Sequence, residues 1–186
     1  MRLENIGFYT LNDQRAKTSS DTSPMMRGEI ILTDKCNFDC PYCRGVRKDC
    51  RGEMDPSIVA QIIRHWTPIK NIRFSGGEPT LYPHLIEVIN YAKKNGVERI
   101  AISTNGSANI NYYKKLIHYG VNDFSISLDA CCASKGKEMS GGVDAWDKVI
   151  SNIRELSKLT YVTVGMVFTP DNIAESVESV KFAHSL

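Results

Sequence analysis

Thr33-Asp34-Lys35-Cys36-Asn37-Phe38-Asp39-Cys40-Pro41-Tyr42-Cys43 follows directly on a β-prone run at 29–32, so three cysteines in Cys-x3-Cys-x2-Cys spacing fall in a loop at the C-terminal end of a strand. Three thiolates can converge there. Soft sulfur ligands suit zinc or an iron–sulfur cluster, and a structural zinc site normally closes with four ligands. A cubane held by three cysteines keeps one iron without a protein ligand, where a small molecule bearing an amine and a carboxylate can chelate. A zinc site would instead have to recruit a distant Cys or His. The spacing alone leaves both readings open.

Working outward from the loop, β-prone runs at 29–32, 71–74, 99–103, 123–128 and 161–168 alternate with helical patterns. Ile58, Val59, Ile62, Ile63 and Trp66 share a helical face behind an Asp55-Pro56 start, where Asp caps and Pro suits the first turn. Leu85, Ile86, Val88, Ile89 and Ala92 form a second helix that Gly96 ends, and a third around 112–119 stops at Gly120. Trp146, Val149, Ile150, Ile153 and Leu156 mark a fourth, and Asn172 is placed to cap a fifth. This order predicts an α/β fold of right-handed βα units, either an open parallel sheet or part of a barrel, with functional loops at the C-terminal strand ends. Residues 11–28 are rich in Ser, Thr, Asp and Lys, so 1–28 reads as a lead-in and 29–186 as one core domain.

The chain has 186 residues, 42% hydrophobic and 24% charged, enough to bury one substantial core. Its formal charge of +2 comes from interspersed residues of both signs, which gives no basic stripe for nucleic acid. The polar N-terminus lacks the apolar centre of a signal peptide, and no run reaches membrane-span length. A soluble cytoplasmic protein is the expectation. Its six cysteines are then expected to stay reduced, and their clustering suggests metal.

The second strand runs into Arg73-Phe74-Ser75-Gly76-Gly77-Glu78-Pro79. Two glycines permit close backbone approach to a ligand, and Glu78 offers an acceptor suited to an ammonium group; an ordinary turn is the alternative. Strand alternation points Arg73 inward, opposite Phe74, to bind a carboxylate or phosphate or to form a structural ion pair.

With the cysteine loop after the first strand and Gly-Gly-Glu after the second, the sequence resembles the radical S-adenosylmethionine (SAM) superfamily. The likeness runs from about Glu29 to Asn172. It includes Ser103-Thr104-Asn105-Gly106 after the third strand and Ser127-Leu128-Asp129 after the fourth. The wording looks like the branch of the molybdenum-cofactor GTP cyclase and the SPASM/twitch peptide-modifying enzymes. The resemblance implies a partial (β/α) TIM-type barrel, here with about five of the usual six βα units. It implies a [4Fe-4S] cluster on Cys36, Cys40 and Cys43 that cleaves SAM reductively to a 5′-deoxyadenosyl radical, fed by a reductant such as a flavodoxin or ferredoxin. Tyr42 matches the aromatic position beside the SAM adenine, and Gly76, Gly77 and Glu78 match the segment that receives the methionine amino group. Ser103 and Asn105 match positions near ribose or substrate, Ser127 one that contacts SAM, and Asp129 lies beside it. In the cyclase an Arg stands seven residues before the first cysteine and serves the nucleotide; here Glu29 stands there, which counts against GTP.

Cys50, Cys131 and Cys132 are surplus to a three-cysteine cluster and read as free thiols, and His65, His84, His118 and His184 take no catalytic role. The fifth strand ends near Phe168, so a sixth unit is expected to be missing, with a partner chain as one way to complete the barrel. Two functions follow: an enzyme acting on a peptide or small metabolite, and a cluster- or zinc-binding module that works through a partner without turnover.

Overall fold

The computed structural model describes residues 14–43 and 52–186, which leaves Cys50 outside the described residues. A short helix α1 (Gln14–Lys17) precedes β1 (Arg27–Thr33), α2 (Pro56–Trp66), β2 (Asn71–Gly76), a 3-10 turn (Pro79–Leu81) and α3 (Leu85–Lys94). There follow β3 (Arg99–Thr104), α4 (Ile110–Tyr119), β4 (Asp123–Ser127), α5 (Ala133–Met139), α6 (Trp146–Leu156), β5 (Tyr161–Gly165), a second 3-10 turn (Ile173–Glu175) and α7 (Ser176–His184). The five strands form one sheet in the order β1-β2-β3-β4-β5, and every neighbouring pair is parallel.

A parallel sheet covered by helices on both faces needs continuous apolar strands, whereas these strands alternate. Ile30, Leu32, Ile72, Phe74, Ile100, Ile102, Phe124 and Ile126 are buried in the core that the helices cover. The helices supply Val59 and Ile63 from α2, Leu85, Val88 and Ile89 from α3, Tyr113 and Leu116 from α4, and Val149, Ile153 and Leu156 from α6. The positions between, Glu29, Arg73, Ser75, Ser103, Ser125 and Ser127, fall on the opposite face. One face greasy and one polar is what a sheet curved around an open lumen requires, and the result is a partial (β/α) barrel of five strands.

At the N-terminal mouth, Arg27, Glu29, Asn71, Arg73 and Arg99 line a shared depression. Arg99 and Asp123 form a buried ion pair, and the Ser75 hydroxyl donates to Glu29 Oε1 at 2.6 Å. Arg73 therefore points inward as alternation predicts, while Phe74 is fully buried.

Several elements differ from the sequence expectation. β1 begins at Arg27, already paired with Asn71, so the ladder starts inside the supposed lead-in. Ile58 is 49% exposed, off the buried face of α2. β5 stops at Gly165 rather than at 168, because Val167 N–H leaves the ladder to donate to Asp129 Oδ1 at 2.6 Å. Asn172 stands at the N-cap position of the second 3-10 turn, ahead of α7, but its side chain makes no capping hydrogen bond there. It is buried, and its amide bridges the carbonyls of Asp129 and Val167 at 3.2 and 2.9 Å. α5 has no counterpart in the sequence reading. Among the described residues, no helix is long and apolar enough to cross a membrane.

Candidate functional site

The C-terminal ends of β1 to β4 meet around one cavity of about 200 Å³. Cys36, Cys40, Tyr42, Cys43, Gly76, Gly77, Ser103, Asn105, Ser127 and Asp129 all line it, whereas Glu78 does not, and Arg73 lies in the depression at the opposite mouth.

The cysteine loop is held from several sides. Thr33 Oγ1 accepts the Lys35 N–H at 3.1 Å, which turns the chain out of β1. Gly77 N–H donates to the Thr33 carbonyl and Glu78 N–H to the Lys35 carbonyl, both at 2.7 Å. A Cβ on Gly76 or Gly77 would collide with the backbone of Thr33 or Lys35. The two glycines thus let β2's end press against the cysteine loop's own backbone; the close approach expected toward a ligand is made first toward protein. From β3, Asn105 Nδ2 donates to Asn37 Oδ1 at 2.8 Å, and Asn37 Nδ2 donates to Ser107 Oγ at 2.9 Å. From β4, Asp129 Oδ2 accepts the Tyr42 hydroxyl while Oδ1 holds Val167.

Glu78 differs from the expected ammonium acceptor. Its side chain is fully buried, with Oε1 accepting from Thr80 N and Oγ1 at 3.0 and 2.6 Å and from Thr104 Oγ1 at 2.7 Å. Oε2 accepts the Asn105 N–H at 2.7 Å. Burial pushes its carboxyl up, and these donors pull it back. The physical reason for the placement is local: Pro79-Thr80 forms a 3-10 turn that Glu78 caps, which draws the carboxylate away from the cavity.

The polar groups therefore divide. Tyr42, Asn105 and Asp129 face the cavity but are committed to holding loops together. Ser103 and Ser127 line the cavity with hydroxyls that take no partner among the described residues. Among the described residues, no Lys, Arg or His lines it.

The chemistry of the donors tests what the cavity could hold. Burial pushes the Cys40 thiol up to about 11 and also raises Cys36. Asp129, raised by burial too, adds to the negative field on Cys40. Raised in this way, the thiols of Cys36 and Cys40 hold their protons more tightly, and a metal cation that binds them must displace those protons. Among the described residues, no three Cys, His, Asp or Glu side chains converge on a point where one ion would sit. Three soft sulfur donors on one cavity wall are a donor set that fits a [4Fe-4S] cluster, which Cys36, Cys40 and Cys43 would hold.

Sequence reasoning missed the far wall. Gly136, Met139, Ser140, Val143 and Trp146, from α5, the turn after it and the start of α6, complete the cavity. Trp146 was expected only as core. Buried Asn152 on α6 was missed as well; its amide donates to the Gly106 and Ala108 carbonyls at 2.7 and 2.9 Å and fixes the loop that carries Asn105. Cys131 and Cys132 are free thiols outside the cavity.

Comparison with known proteins identifies the family and the fold. Residues 30–183 match the Radical SAM superfamily. A probable GTP 3′,8-cyclase of Metallosphaera sedula is 30% identical over 169 residues, covering 88% of this chain and 53% of the relative. That of Sulfurisphaera tokodaii is 32% identical over 160 residues, covering 83% and 50%. The chain spans about half the length of these curated relatives. Streptococcus suis SuiB bound to the precursor peptide SuiA shares the fold with a TM-score of 0.72 at 16% identity, covering 85% of this chain and 36% of that one. Native anSMEcpe with bound AdoMet and a peptide does so with a TM-score of 0.72 at 18% identity, covering 86% and 48%. By the family match across 30–183 and the relatives at 30% identity and above, the chain belongs to the radical SAM superfamily.

Proposed function

We propose that this chain is the catalytic core of an enzyme that cleaves SAM reductively and uses the resulting radical to abstract hydrogen from a peptide or small metabolite. The observation that carries the reading is the meeting of three cysteine thiols, the glycine turn of β2 and the free hydroxyls of Ser103 and Ser127 on one cavity. When bound, the [4Fe-4S] cluster would supply the electron that breaks the sulfur–C5′ bond of SAM, giving methionine and a 5′-deoxyadenosyl radical.

Cys36, Cys40 and Cys43 would hold the cluster, releasing their protons as it forms. The Gly76-Gly77 backbone would meet the methionine end of SAM, and Ser103 and Ser127 would donate to its polar atoms. Tyr42 would flank the adenine, its ring kept in place by Asp129. Glu78 and Asn105 act one step back, fixing the turn and the loop. Met139, Val143 and Trp146 give an apolar wall that keeps water from the reacting centre.

GTP is a weak candidate for the substrate. Glu29 stands where the cyclase has an Arg, and its carboxylate lies on the lumen side bonded to Ser75. A flavodoxin or ferredoxin is the fitting electron donor. A second reading, a cluster-binding module that acts through a partner without turnover, draws on β5 being an open edge of the sheet.

The test is 5′-deoxyadenosine production from SAM by anaerobically reconstituted protein with a strong reductant, with iron and sulfide counted in the same sample. Product alongside about four iron per chain is expected. A cluster without product would favour the module, and no iron uptake would refute both.

A further inference from the structure

One of the segments that touch the cysteine loop carries no residue of the recognised motifs. After α5 the chain turns at Ser140-Gly141-Gly142 and lies against Asp39, the residue before Cys40. The Ser140 carbonyl accepts the Asp39 N–H at 3.1 Å. Ser140 is buried, and its hydroxyl lies 2.9 Å from the Lys137 carbonyl and 2.7 Å from that of Val143, which ties the turn to itself.

Both glycines are left-handed, Gly141 at φ +77° and Gly142 at φ +93°. They differ in what a side chain would meet. A Cβ on Gly141 would overlap the backbone of Asp39, whereas one on Gly142 has nothing within 4 Å. The turn is also anchored from behind. Gly136 leaves room in α5 for the Trp146 ring, and Trp146 stacks on Phe182 with centroids 5.4 Å apart and planes 19° from parallel.

We propose that Gly141 is a positioning residue for the cluster: its missing side chain lets the turn after α5 clasp the Asp39 backbone and hold Cys40 at the cavity wall. The inference rests on the cluster reading above. The plainer role, a glycine that ends α5, belongs equally to its neighbour, since Gly141 N–H donates to the Glu138 carbonyl at 3.0 Å and Gly142 N–H to that of Lys137 at 2.8 Å. Helix termination therefore predicts two similar glycines, and the clasp predicts two unlike ones.

The test compares Gly141→Asn with Gly142→Asn in the full chain, because Asn tolerates the left-handed conformation that both positions need. In metal-free protein the readout is the rate at which iodoacetamide alkylates Cys40, followed residue by residue by mass spectrometry. In reconstituted protein it is the rate at which a ferrous chelator strips iron. Gly141→Asn is expected to raise the Cys40 rate about tenfold, equivalent to ~1.4 kcal/mol, and to shed iron faster. Gly142→Asn should change neither, and Cys132 should react alike in all three proteins. Equal behaviour of the two variants would overturn the clasp. If wild-type protein takes up no iron, the cluster reading fails while the alkylation rates still decide the clasp. Should Gly141→Asn lower the unfolding temperature, hydrogen exchange at the wild-type Asp39 amide decides instead: protection like that of the β-ladder amides is expected, and free exchange would overturn the proposal.

Discussion

The two mouths of the barrel spend inward-facing positions of the same strands in opposite ways. At the N-terminal mouth the lumen side carries Arg27, Glu29, Arg73 and Arg99, and a buried ion pair joins β3 to β4 through Arg99 and Asp123. At the C-terminal mouth no cationic side chain lines the cavity among the described residues. The polar groups there serve mostly to fix backbone, leaving the thiols on the cavity wall together with the hydroxyls of Ser103 and Ser127, two hydroxyls that take no partner among the described residues. Charge answered by charge makes one end a brace. Donors left waiting make the other a receptacle, as expected for the C-terminal face of a (β/α) barrel.

Substitutions at the two ends should separate accordingly. The largest effect is expected of Cys40→Ala, which should take iron loading and 5′-deoxyadenosine formation to background while Cys132→Ala leaves both intact; equal loss in the two would dissolve the receptacle. Asp123→Asn strands a buried guanidinium and should cost ~3 kcal/mol in chemical denaturation. Iron content per folded chain should not change, and a selective loss of iron there would show that the ends are not separable.

Glu78→Gln comes next, at ~2 kcal/mol. Each carboxylate oxygen faces a backbone N–H, Thr80 on one side and Asn105 on the other, so the new amide opposes a donor in either orientation. If denaturation midpoints do not move, Glu78 is not the brace described here. The smallest effect belongs to Tyr42→Phe, about 1 kcal/mol for the lost hydrogen bond to Asp129. Its SAM affinity by calorimetry should fall little, because the ring remains; a collapse in affinity would place the hydroxyl, not the ring, at the ligand.

Much of the barrel was legible because its signals are local. Ile72 and Phe74 against Arg73 and Ser75 show a one-sided strand within four residues, and the cysteine spacing is visible in eight. α5 was not legible for the converse reason. Ala133 to Met139 contains one buried apolar residue, a central glycine and no side-chain cap, and it is secured by Trp146 packing on Gly136, a contact no local pattern encodes. Glu78 was seen as a functional carboxylate, but its direction depends on donors from Thr104 at the end of the next strand and Asn105 just after it. Thr80, two residues on, was the one nearby hint of a cap. The glycine pair was read as permitting close approach to a ligand, and its approach to another loop's backbone was hidden because that loop follows a different strand.

The contact between Asp39 and the turn at Ser140-Gly141 also has a meaning in time. The ribosome delivers the three cysteines early, and the partners that fix them arrive in sequence: first the glycine turn of β2, then Asn105, then Asp129, and last Gly141. A nascent chain that has shown only its first two strands presents thiols on a half-secured loop, open to oxidation and to stray metal. Whatever delivers iron and sulfide finds a finished receptacle only after most of the domain has emerged, so the order of translation itself schedules maturation late.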